Sequence, residues 1–441
     1  MYLAPIRVKI VHYFKAQGGF AVLLYPKMPI VDGKKTKLLK KPVFFPIVLD
    51  LYIAQTIENN KEKKRMCRLF ALTSKDPVSP MEAINALNVM KEGHDGSGVG
   101  LLLKDLGGPF EEMKEAPILS GIFTEEGIRR LDLFMMNQGF MTKYKVSIKV
   151  PKTKMFGIPR RGLYLIRAYE YPETWDGLAK EEIEERLMDT RLKIREMGEE
   201  NRDMIVFSFW PDTIMIKELG DPMDVAHYLG LDRKDLKARI IMAQGRQNTN
   251  YAINLYACHP FFIKGFSTMT NGENTAFIPI KNFLLSREYP GYTGYQSDSE
   301  VFAHILHYTM ETLGLGIDAY KHVITPLQEN DLKQHPDVAF LTHLKRSCRQ
   351  LIIDGPNCVI GTLPDNTLFM AQDRKKLRPG VVGGRPGLFA FSSEVCGLDA
   401  IIPDRDKSFD IQPMHLDTAI VSPDRQEVKI CRQTEPLNLP L

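Results

Sequence analysis

Asn271-Gly272 is the first pair in this sequence whose types and spacing could do chemistry. An Asn side-chain amide next to a Gly backbone amide offers two donors to a developing oxyanion, and Gly allows close approach. The same dipeptide, between Phe266–Met269 and Thr275–Ile278, also fits a type I′ hairpin turn, and a turn can expose both donors. Arg246, after a helical stretch, is either a surface arginine or a bidentate clamp on a small carboxylate. Asp298 is either a helix N-cap or a carboxylate that receives an ammonium group. His304 and His307 stand at i, i+3, but no third ligand accompanies them, so no metal site is expected. Gly93 to Gly100 is rich in glycine, yet a strand-like run follows it. A phosphate loop needs a helix N-terminus there, so a tight turn is expected instead.

The six cysteines, Cys67, Cys258, Cys348, Cys358, Cys396 and Cys431, form no C-x-x-C pair. Zinc ribbons, clusters and dithiol redox sites therefore have no support. Five are expected to be small buried hydrophobes. Cys67 differs, because it opens the apolar stretch Arg68–Leu72 directly after a polar run, Glu58–Arg65. Residues 1–65 carry 13 Lys and Arg against 4 Asp and Glu, a net of +9, while the whole chain is +4. The remainder is thus mildly acidic, which argues against nucleic-acid binding. Residues 1–66 are expected to be an extension, either a propeptide or a mis-assigned start, and 67–441 the functional domain. Lys61-Glu62 can be encoded as a purine-rich ribosome-binding sequence just before Met66. Either origin leaves Cys67 first, with its thiol and a free α-amino group on one residue.

The elements that must position these residues are read from periodicity. Helices are expected from Pro80 to Lys91, over Lys180–Glu199 as a solvated surface helix, over Asp224–Leu229, over Arg233–Ala243, and from Ser297 to about Thr312 with a capping box. Strands are expected over Val99–Leu103, Tyr144–Val150, Gly162–Tyr169, Met204–Trp210, Thr213–Glu218, Cys358–Thr362 and Thr367–Ala371. The second half reads as short strands and hairpins with one or two helices. The mix implies an α+β layered fold. No uncharged apolar run is long enough to span a membrane and no secretory layout opens the chain, so a cytoplasmic location is expected.

Taken in order, these segments resemble class II glutamine amidotransferases, and specifically the amidotransferase domain of glutamate synthases. Met66-Cys67 resembles the start of that domain, and Asp95-Gly96-Ser97-Gly98-Val99 its D-G-x-G-I turn. Arg246-Gln247-Asn248-Thr249-Asn250 resembles R-x-S-T-N. Thr270–Thr275 resembles H-N-G-E-I-N-T, and Ser297-Asp298-Ser299 matches S-D-S. Asp373–Pro379 resembles D-R-N-G-L-R-P, and Ser392–Val395 resembles S-S-E-V. Arg68 stands where many members have Gly, and Thr270 where they have His.

The resemblance implies an N-terminal nucleophile hydrolase fold, an αββα four-layer sandwich. It implies hydrolysis of L-glutamine to glutamate and ammonia through a thioester on Cys67. Asn271 and Gly272 would form the oxyanion hole, and Arg246, Thr249 and Asp298 would bind the substrate. It also implies a separate glutamate synthase-type flavoprotein subunit, carrying FMN and an iron–sulfur cluster that this chain lacks. That partner would belong to an archaeal-type glutamate synthase or a relative such as N-methylglutamate synthase. Two alternatives stay open: an inactive regulatory or scaffolding subunit, and a hydrolase of the same fold acting on another amide.

Overall fold

The computed structural model describes residues 8–16, 19–26, 67–148, 162–247, 255–287, 289, 297–414 and 416–439. The chain divides into two units, Met1–Lys63 and Lys64–Leu441. In the first, β1 (Val8–Ala16) and β2 (Gly19–Pro26) form an antiparallel pair.

The second unit supplies the remaining strands. In chain order they begin with β3 (Arg68–Val78), β4 (Val99–Gly107), β5 (Pro117–Phe123), β6 (Met141–Ile148), β7 (Leu163–Glu170) and β8 (Met204–Pro211). Then come β9 (Thr213–Glu218), β10 (Lys237–Gly245), β11 (Phe261–Ile263), β12 (Phe266–Gly272), β13 (Asn357–Thr362) and β14 (Leu368–Gln372). The last are β15 (Val381–Arg385), β16 (Leu388–Ser392), β17 (Thr418–Val421) and β18 (Lys429–Cys431). One sheet has the order β15-β16-β3-β10-β4-β9 and a second β11-β12-β13-β14-β17-β18. A four-stranded sheet, β6-β7-β5-β8, stands beside them. All the pairings in these sheets are antiparallel.

The two six-stranded sheets face each other. Ser267 Oγ of β12 lies 3.2 Å from Met242 Sδ of β10. Lys104 of β4 is buried between the layers and donates from Nζ to the carbonyls of Gly265 and Leu363. Helices Met81–Val89 and Val395–Ile401 cover the first sheet's outer face. Helix Glu300–His307 packs on β11 and β12, and Tyr320 of helix Ile317–Ile324 meets Phe369 of β14 edge-on. The layering is αββα in an α+β fold, as expected from the sequence. Burial drives it: strands β4, β9, β13 and β14 are buried along their whole length because both faces are covered. Phe70, fully buried in β3, is part of that core. Phe70→Ala is expected to cost about 3–5 kcal/mol, read as a lower urea midpoint with an unchanged slope.

Several local expectations are corrected. Arg233–Ala243 is not a helix. Lys237–Gly245 is a strand held between β3 and β4, where β-branched Ile240 and Ile241 suit a pleated surface. Helix Lys180–Asn201 is not simply solvated, since Leu187, Met188, Arg191 and Ile194 are buried and it packs on β8. Asn271-Gly272 is not a hairpin turn but the end of β12. The hairpin lies at Lys264-Gly265, both with positive φ, as a two-residue type I′ turn requires. The second half holds more helix than expected, including Phe277–Leu285, Ile317–Ile324 and Val338–Ser347. Among the described residues, no helix is long and apolar enough to cross a membrane.

Candidate active site

Cys67 stands immediately before β3 and is half-buried. Its Sγ accepts from the Gln247 N–H at 3.3 Å and lies 3.6 Å from the Gln247 carbonyl. Burial pushes the thiol above its ordinary pKa. The Gln247 N–H and the Arg246 guanidinium oppose that shift, while the carboxylates of Asp95 and Asp298 add to it. The sulfur is therefore a protonated thiol at neutral pH in this setting, and needs a base to become a nucleophile. Three groups far apart in the sequence, Arg246, Asp95 and Asp298, act electrostatically on one sulfur.

The two residues after Cys67 are each held by the segment Ser392–Val395. Ser393 makes a reciprocal pair with Leu69: Leu69 N–H donates to Ser393 Oγ, and Ser393 N–H donates to the Leu69 carbonyl, both at 2.9 Å. Arg68 pairs with Glu394 at 2.6 Å. The segment Ser392–Val395 thus holds the start of β3 in place.

Arg246 follows β10 and is buried. Its backbone stitches down the glycine loop. Its N–H donates to Gly98 O at 2.8 Å, and its carbonyl accepts from Asp95 N–H and Ser97 Oγ, each at 3.3 Å. Gly98 has φ +154° and a Cβ there would lie 2.5 Å from Cys258 Sγ, so only glycine fits. The loop leads into β4, not a helix, and serves as the tight turn expected.

Asp298 does not cap its helix. Ser299 holds the N-cap position of helix Glu300–His307, with no side-chain cap bond, and the expected capping box is absent. Instead Asp298 Oδ2 accepts the Asn274 N–H at 2.9 Å, and Oδ1 accepts from Ser299 Oγ at 3.2 Å and Ser297 Oγ at 3.4 Å. Those bonds lower its pKa, but burial outweighs them and raises it, aided by Glu273. A carboxylate has about four acceptor sites, so these three bonds leave capacity for a cation.

Asn271 is 2% exposed, and its Nδ2 is a buried donor with no partner among the described residues. Such an orphan is costly unless something occupies it in function. Gly272 lies opposite Asn357 of β13, and a Cβ there would meet Pro356 O at 2.0 Å. Asp373 fixes that opposite strand by accepting the Asn357 N–H at 3.0 Å. The structure brings Cys67, Arg246 and Asp298 together electrostatically and links Asp298 to the Asn271–Asn274 segment. Thr249 lies outside the described residues, as does Met66.

His304 and His307 are occupied by Glu300 and Tyr289 respectively. Among the described residues no group of three or more His, Cys, Asp or Glu could hold a metal ion. Two residues near the site had no sequence motif, His259 and Gln244. Gln244 carries a signal: it is a polar residue directly after the apolar run Ile240–Ala243, inside a buried strand.

No protein-family model matches the chain. It is similar to an uncharacterized protein of Archaeoglobus fulgidus, 26% identical over 354 residues, covering 78% of this chain and 89% of that protein. Three solved structures are similar at 12% identity over 84% of this chain. One is the glutamine phosphoribosylpyrophosphate amidotransferase of B. subtilis complexed with ADP and GMP, with a TM-score of 0.40 and 50% of that chain covered. The second is an allosteric regulatory enzyme of purine biosynthesis, at 0.42 and 50%. The third is a glutamine aminotransferase class-II domain protein from Silicibacter pomeroyi, at 0.31 and 100%. This chain spans about half the length of the first two.

Proposed function

We propose that the chain is a glutamine amidotransferase subunit that hydrolyses L-glutamine to glutamate and ammonia through a thioester on Cys67. The observation that carries this is that a buried cation, Arg246, and a buried carboxylate, Asp298, both act electrostatically on the Cys67 sulfur. A cation for an α-carboxylate and an anion for an α-ammonium, beside one thiol, suit a free amino acid whose side chain reaches the sulfur. The segments quoted above support glutamine as that amino acid.

The mature chain in this proposal begins at Cys67. Its α-amino group, titrating near about 7.7–8.0, is partly neutral at physiological pH and takes the thiol proton. The thiolate adds to the side-chain amide carbon. The tetrahedral oxyanion forms against Asn271 Nδ2 and the Gly272 N–H. Collapse breaks the C–N bond, and the amine returns the proton to the departing ammonia. Water then attacks the thioester and releases glutamate and the free thiol. The ammonia passes to a separate glutamate synthase-type flavoprotein subunit, which holds the FMN and iron–sulfur cluster.

Ammonia release from glutamine, asparagine and simple amides tests the substrate. Glutamine is expected to be preferred, and Asp298→Asn to raise KM by roughly 10–100-fold with a smaller change in kcat, because the clamp acts in ground and transition states alike. Equal rates on simple amides lacking the α-substituents, unaffected by Asp298→Asn, would point instead to a hydrolase of another amide.

A further inference from the structure

Where it carries the proposed oxyanion donors, strand β12 is paired with β13 on one side but has left β11 on the other. β11 pairs with it only from Ile263 opposite Phe266 to Phe261 opposite Thr268. Thr270 lies two residues beyond, and side chains take up its backbone groups. Its N–H donates to His259 Nδ1 at 2.9 Å, and its carbonyl accepts from Gln244 Nε2 at 3.1 Å. Gln244 Oε1 accepts the His259 backbone N–H at 3.2 Å. Those two bonds fix which way the Gln244 amide points. Gln244, His259 and Thr270 are all buried.

A histidine Nδ1 accepts only when the ring is neutral and its proton is on Nε2. Burial, with the cations of Lys217 and Arg246, holds the His259 pKa well below the ordinary range, so the ring is neutral throughout the working pH range. Lys217 also donates from Nζ to the Cys258 carbonyl, anchoring the residue before the imidazole.

We propose that His259 is a positioning residue for the oxyanion hole: its Nδ1 holds the Thr270 N–H and so sets the end of β12 that carries Asn271 and Gly272. The inference rests on the amidotransferase reading of the site. Gln244 extends the effect to the substrate clamp, because it lies two residues before Arg246 at the end of β10. One buried hydrogen-bonded ring thus joins the strand of the oxyanion donors to the strand of the carboxylate clamp. Without the imidazole, the Thr270 N–H is a buried donor with no acceptor, and the strand end must shift to find one.

The test compares wild type, His259→Leu and His259→Asn, each matured to begin at Cys67, by kcat and KM for ammonia release. His259→Leu is expected to lose about 10²-fold in kcat with KM within about twofold, since displacement harms the transition state most. His259→Asn returns an amide oxygen close to the Nδ1 position and is expected to recover at least about 10-fold of that loss. The imidazole nitrogen NMR spectrum of the wild type provides a readout that no variant is needed for. It is expected to show the His259 ring neutral and protonated on Nε2 from pH 6 to 8, alongside other neutral buried rings such as His307 and His322. If His259→Leu does not fold, the Asn variant and this spectrum decide: an Asn variant below a tenth of wild-type kcat, or a His259 ring protonated on Nδ1, overturns the proposal. An active wild type with an equally active Leu variant overturns this inference alone. A wild type that hydrolyses no glutamine overturns the amidotransferase reading.

Discussion

Cys67→Ala is expected to abolish glutamine hydrolysis, with a fall in kcat on the order of 10⁶-fold by comparison with the loss of nucleophiles in other hydrolases. Cys258 and Cys358 cannot substitute: both are fully buried, and burial pushes their thiols up to about 11 and about 12. Glutamine binding should survive in the variant, because Arg246 and Asp298 are untouched. Calorimetry on the variant should therefore return a Kd within a few-fold of the wild-type KM, roughly as expected when chemistry is slow. A chain that keeps Met66 should be as inactive as the variant, since an amide nitrogen in place of the amine is no base. The pH profile carries the same logic. In the proposed mechanism the base is the neutral amine, so the rate should rise with pH through about 7.7–8.0 and be lost as pH falls below that range.

Asn271→Ala is expected to lower kcat by about 10²–10³-fold while leaving KM nearly unchanged. The oxyanion exists only in the transition state, so its donor contributes little to ground-state binding. The structure adds a second signature. Asn271 Nδ2 is already buried without a partner among the described residues, so deleting it removes an unsatisfied donor. Stability should then stay level or rise while activity collapses, which thermal unfolding and steady-state rates on the same sample will show. A variant that loses both together would mark Asn271 as a structural residue.

Cys67 is legible as a candidate because it stands where composition and charge change together. Strands such as Met204–Pro211 and Thr213–Glu218 are legible because their apolar runs are bounded by turns. Arg233–Ala243 fits a helix by its charged start and apolar end, and only the flanking strands β3 and β4 decide that Lys237–Gly245 is a central strand. Asn271-Gly272 was misplaced in a turn because the hairpin signal is local, whereas the partner of β12 is β13, brought in from far along the chain. Asp298 fits a cap for the same reason: one of its partners, the Asn274 N–H, is not a sequence neighbour. His259 was invisible because its role depends on where β11 stops. A lone histidine before a proline carries no such information.

The most direct measurement is mass mapping of the native chain after reaction with a diazoketone analogue of glutamine, which alkylates the thiol that would form the thioester. The account predicts one adduct per chain, on Cys67, in a peptide that begins with Cys67 and has a free α-amino group, with ammonia release lost in step with labelling. Ammonia release from a chain that still carries Met66, or full activity after Cys67 is labelled or replaced, would contradict it.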